Sequence, residues 1–158
     1  MAIKNLPLDL DFFEKLIIYN SLTDQSYLET IVEYTNPSFF KEKRHITVFS
    51  LIKSFYNENS ILPNLTELKA YLTTQEQKEH FKEVILSFNS IDKNYNKDLL
   101  LKNTERFLKE KAVFSTVVDA SLNIQNGNID TTNILKNFES ACGISLVDNI
   151  GFDYFHPR

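Results

Sequence analysis

Between Lys97 and Gln125 the chain runs without a glycine or a proline, and only three glycines and four prolines occur in all 158 residues. Tight strand reversals lean on those two residues, so a chain this poor in them has few places to build β-hairpins. The scarcity disfavours an all-β fold and suits helices. One long helix from about Lys97 to Gln125 would be roughly 40 Å long at about 1.5 Å per residue.

The residues before it read as short helices separated by turn signals. Asp9 or Asp11 can cap a first helix carrying Phe12, Phe13, Leu16, Ile17 and Tyr19 at helical spacing. Thr23 or Asp24 restarts the chain into a second, with Tyr27, Leu28, Ile31, Val32 and Tyr34, which Asn36-Pro37 ends because the residue before proline is pushed from helical angles. Phe39 and Phe40 fall in a single short turn. A third helix from about Lys43 presents Ile46, Phe49, Ile52, Phe55 and Tyr56, and Ile61-Leu62-Pro63-Asn64 breaks it. Asn64 with Glu67 has the layout of a capping box opening a helix with Leu65, Leu68 and Leu72. A fifth helix spans about Gln75 to Phe88, apolar through Phe81, Val84, Ile85 and Phe88.

After the long helix, Asn126-Gly127-Asn128 is a glycine stop, and Asp130 or Thr131 can cap a last helix through about Ser145. Helices joined by so short a turn are expected to be antiparallel neighbours. The expected architecture is therefore all-α: a small helical bundle over 1–96 and an αα-hairpin over 97–146. Phe114, Val117, Val118 and Leu122 on the first arm could meet Ile134, Phe138 and Cys142 on the second. A two-helix hairpin has no hydrophobic centre of its own, so Phe114, Val118, Leu122, Ile134 and Phe138 are candidates for self-association. The alternative is that these side chains fill one intramolecular core.

Composition narrows the function classes. A net charge of −4 argues against a dedicated nucleic-acid surface, which needs clustered Lys and Arg. The longest apolar run, Leu16 to Tyr19, is far short of a bilayer span. The amino terminus lacks the basic-then-apolar layout of a signal peptide. Cys142 is the only cysteine, so no intrachain disulfide can form and a reducing compartment is expected.

The order of these patterns resembles the N-terminal helical domain of DnaB-family replicative helicases, closest to the T-even phage type. The resemblance rests on Leu16-Ile17-Ile18-Tyr19, Tyr27-Leu28, Phe39-Phe40, Phe49-x-x-Ile52-Lys53 and Leu62-Pro63, then Ile144-Ser145-Leu146 with Gly151-Phe152-Asp153. It implies a bundle followed by a hairpin, with residues 147–158 starting a linker toward a RecA-type ATPase domain. It further implies a non-catalytic part of a hexameric helicase that assembles subunits through the hairpin and docks primase, with a helicase loader as a further candidate partner. The site would be the cytoplasm of a bacterial host. The bias toward Lys over Arg, with many Asn and Ile, fits an AT-rich phage or bacterial genome. The chain is expected to be a fragment or a solitary N-terminal domain; a free-standing replication adaptor, such as a primase helicase-binding domain or a loader domain, is the rival.

No G-x-x-x-x-G-K-[ST] phosphate loop is present: Gly127, Gly143 and Gly151 stand apart and none precedes Lys-Ser or Lys-Thr. No catalytic, cofactor or metal site is expected, and ATP and Mg would belong to the ATPase domain. His45, His80 and His156 anchor no ligand cluster. Glu76, Glu79, His80 and Glu83 share a helix and are expected to be a solvated charged face rather than a metal site. Cys142 is expected on the inner face of the last helix, as a small buried hydrophobe. Lys102, Arg106 and Lys109 are the candidate contacts for single-stranded DNA, offset by Glu105 and Glu110. A salt-bridged surface, with Glu105 and Lys109 four apart, is the plainer reading.

Overall fold

The computed structural model describes residues 10–146, and every regular element within them is helical. Asp9, the Gly151-Phe152-Asp153 stretch, His156 and the expected linker over 147–158 lie outside the described residues. The chain divides into two compact units at Asn94 and Tyr95.

The first unit contains α1 (Leu10–Thr23), α2 (Gln25–Ile31), a 3-10 turn at Pro37–Phe39, α3 (Lys43–Asn59), α4 (Leu65–Lys69) and α5 (Gln75–Ser87), the last running into a 3-10 turn at Phe88–Ser90. Helix α1 is buried on nearly all sides. Phe13, Leu16, Ile17 and Ile18 are core, and the buried Asn20 and Ser21 satisfy themselves by donating to the carbonyls of Leu16 and Ile17 at 2.8 and 2.7 Å. Helix α3 packs against both α1 and α5, burying Val48, Phe49, Leu51, Ile52 and Phe55. The expected Ile46 and Tyr56 are only half-buried: Ile46 lies well round α3 from Val48 and Ile52, and Tyr56 is in the last turn of the helix.

Most helix ends follow local chemistry. Asp24 accepts from Tyr27 N and opens α2. Asn64 and Glu67 form the reciprocal capping box that opens α4. Thr74 and Gln77 form a second one that opens α5. Helix α2 stops at Ile31, before the Asn36-Pro37 expected to end it. The Thr35 hydroxyl takes the carbonyl of Ile31 at 2.7 Å, and Asn36 instead caps the 3-10 turn that leads to the buried Phe40.

The second unit is α6 (Lys97–Gln125), opened by an Asn96 cap, and α7 (Thr131–Cys142), opened by Asp130. Gly127 ends α6 with φ of 76°; its N–H donates to Ile124 and that of Asn128 to Asn123, the paired bonds of a Schellman turn. Helix α7 packs along α6, and the backbone N–H of Leu146 donates to Glu105 at 2.6 Å, which returns the chain to the opening turns of α6. Helix α7 ends at Cys142 rather than near Ser145.

The expected pairing of the two arms needs correction. Phe114, Val117, Val118 and Leu122 are exposed; they meet solvent, and among the described residues they fill no core. Thr116, Ala120 and Asn123 of α6 instead share a small cavity of about 100 Å³ with Ile134 and Asn137 of α7. With 3.6 residues per turn, the strip containing Thr116, Ala120 and Asn123 lies well round the helix from Phe114, Val118 and Leu122. Cys142 is also exposed, against expectation. Ala141 is the buried residue at that end of α7, and Cys142 sits roughly 100° farther round.

Candidate assembly and docking surfaces

Phe114, Val118 and Leu122 recur every four residues, so α6 carries them along one side, with Val117 beside them. They are 67%, 39% and 51% exposed. A stripe of large apolar side chains on a helix that packs its small residues inward is the clearest candidate for a surface completed by a partner. Of the five residues read from the sequence as an association set, the structure brings these three together. Ile134 and Phe138 are half-buried on the side of α7 that carries Ala141, and Ile134 lines the cavity between the arms. Leu135 is exposed and belongs to the outer surface of α7.

Lys102, Arg106 and Lys109 also share one side of α6, with Lys102 and Arg106 exposed and Lys109 half-buried. This basic strip lies nearly half a turn round the helix from the apolar stripe. Glu105 is engaged by the backbone of Leu146, and Lys111 lies over the ring of Phe107 at 5.7 Å.

The bundle carries two apolar hollows that sequence reasoning missed. One, about 510 Å³, is bounded by α4 and α5 and lined by Leu65, Leu72, Phe81, Ile85 and Leu86, with Lys69, Lys78 and Lys82 around it. The other, about 430 Å³, is lined by Tyr19, Leu22, Leu62, Pro63 and Phe88, and shares Leu65 with the first. Leu65, whose helical spacing with Leu68 and Leu72 suggested core, is exposed, as is Leu86, which the sequence reading did not single out.

The buried Glu14 and His45 form one constellation with the start of α3. Glu14 of α1 is fully buried and accepts from the backbone N–H of Lys41 and of Glu42, at 2.7 and 3.4 Å, and pairs with His45 Nδ1 at 2.8 Å. Helix α3 has no side-chain cap of its own at Glu42, so the Glu14 carboxylate supplies the negative charge its N-terminus lacks. Outside it, Arg44 bridges Asp11 at 2.6 Å and Glu42 at 3.2 Å. These contacts lock α1 to α3, which is a structural arrangement. His80, set beside glutamates in the sequence, hydrogen-bonds Thr47 of α3 at 2.9 Å. Among the described residues no three His, Cys, Asp or Glu side chains are grouped to hold a metal ion, and no helix is long and apolar enough to cross a membrane. Half-burial lowers the Lys53 amine below its ordinary pKa while its Nζ donates to the carbonyl of Thr35. Desolvation, then the Glu58 carboxylate accepting its hydroxyl at 3.0 Å, raises the Tyr71 phenol.

Neither the protein-family models nor the curated proteins contain a match to this chain.

Proposed function

We propose that the chain is the non-catalytic N-terminal domain of a hexameric DnaB-type replicative helicase. In this reading it assembles subunits through its hairpin and docks primase, with a helicase loader as a second partner, in the cytoplasm of a bacterial host. The observation that carries the proposal is the exposed stripe of Phe114, Val118 and Leu122. Burying each such side chain against another copy contributes on the order of 1.5–3 kcal/mol, so a stripe of three repeated in a ring is a substantial association energy. The order of helices along the chain and the blocks quoted above support the family assignment. ATP and Mg are assigned to a separate ATPase domain, and DNA contact by Lys102, Arg106 and Lys109 to a weak, ring-dependent role.

Sedimentation of the chain and of its Phe114→Asp, Val118→Asp variant tests the assembly role. Both positions are exposed, so the variant is expected to fold like the parent and to lose its self-association. A folded variant with an unchanged oligomeric state overturns the hairpin interface. The gene beyond residue 158 tests the parentage: an in-frame RecA-like ATPase supports the helicase, and an immediate stop supports a free-standing adaptor.

A further inference from the structure

We propose that the hollow between α4 and α5 docks an acidic amphipathic helix of a partner protein. The floor is apolar, and Leu65 and Leu86 stand 42% and 57% exposed over it. Lys69, Lys78 and Lys82 line it and are themselves exposed. Among the described residues none of the three has an ion-pair partner.

The charge arrangement on α5 is the second strand of the argument. Lys78 and Lys82 are four residues apart, a like-charge spacing that destabilises a helix surface. Glu76, Glu79 and Glu83 lie on the neighbouring strip of the same helix, by its period of 3.6 residues, so the carboxylates stand beside the hollow rather than in it. Glu67 of α4 is committed to the backbone of Asn64. The result is an apolar floor with cations left to an outside anion. A ligand bearing carboxylates beside an apolar face relieves the lysine repulsion and covers the floor at once.

The shape argues for a helix as the occupant. From Lys78 to Leu86 the lining face of α5 is about 12 Å long, some two helical turns. The hollow is walled by two helices and, among the described residues, no strand offers an edge for an extended peptide. The second hollow, beside Tyr19 and Phe88, shares Leu65 with it as a wall. This surface belongs to the first unit alone, and the inference stands whether or not the chain comes from a helicase.

The test uses a fluorescent peptide of about 14 residues with Leu or Phe at i, i+3, i+4 and i+7 and Glu elsewhere. Two control peptides replace every Glu by Lys, or every Leu and Phe by Ala. Anisotropy is expected to show binding of the acidic peptide alone, with a gain of helicity, and a loss of about tenfold or more in affinity for Lys78→Glu, Lys82→Glu protein. Circular dichroism checks that this variant, altered only at exposed positions, keeps its fold. Equal binding of the acidic and basic peptides, no binding of either, or an unchanged affinity in the variant overturns the proposal. Preferential binding to phosphatidylserine vesicles that displaces the peptide overturns it too, assigning the face to a lipid surface.

Discussion

The Glu14 carboxylate and the His45 imidazole, 31 residues apart in sequence and both without solvent exposure, meet at 2.8 Å. Because the same carboxylate also accepts the N–H groups of Lys41 and Glu42, removing it leaves the buried His45 Nδ1 and two part-buried backbone donors without their acceptor. Glu14→Ala is expected to cost about 3–5 kcal/mol, read from urea unfolding. Arg44→Ala breaks the partly exposed bridge to Asp11 nearby and is expected to cost under about 1 kcal/mol. Equal losses in the two variants would mean that the buried pair does not anchor α1 to α3.

Two helices end in the left-handed region with opposite choices of residue. Ser60 closes α3 at φ 58°, and Gly127 closes α6 at φ 76°. Ser60→Gly is expected to raise stability by about 0.5–1 kcal/mol, less whatever the flexible glycine gains in the unfolded chain. Gly127→Ala is expected to lower it by about 1 kcal/mol through backbone strain alone, since nothing lies within 4 Å of the added carbon. Thermal melts of the two variants, moving in opposite directions, check both.

Alkaline stability should show two opposing slopes. The Tyr71 pKa is raised, so the folded state holds that proton more tightly; its stabilisation is complete below the ordinary tyrosine value of 10.0 and is lost as pH rises through the folded value. The Lys53 pKa is lowered, so the unfolded state holds that proton more tightly, and stability rises with pH in the window just below 10.5. Tyr71→Phe is expected to make the stability slope above pH 10 more positive than in the parent, and Lys53→Met to make it more negative below 10.5. Urea midpoints measured from about pH 9 to 11 read both signs.

Single-stranded DNA binding by the free chain is expected to be weak and steeply salt-dependent. Few phosphates can be neutralised together by Lys102, Arg106 and Lys109 in a chain of net charge −4. Anisotropy with a labelled oligonucleotide at two salt concentrations decides it. Tight, salt-insensitive binding would identify a base-stacking module instead.

The legible parts of this fold are those decided within a few residues. Asn64 with Glu67, Gly127 and Asp130 announce their turns because a cap acts across three or four positions. Thr74 with Gln77 carries the same signature and belongs with them, although it was not singled out in the sequence. What the sequence hid is decided across the core or by a small rotation. Glu14 reads as one charge on an apolar helix, and nothing local points to His45. The outward turn of Phe114, Val118 and Leu122 was hidden for another reason. Hydrophobicity ranks them as the inner face, yet small residues let two helices approach more closely, and Thr116 and Ala120 take that place. The basic-rimmed hollow was invisible because α4 and α5 each supply only part of it.

The small cavity between the arms also sets how firmly the hairpin's tip is held. Threonine, alanine and asparagine give up little on separating, so the turns around Asn123 and Asn133 should open at a free energy well below that of global unfolding. Amide hydrogens there should exchange early, whereas those around the buried Leu108 persist. A partner seated on α6 would then be recorded as slowed exchange at the tip.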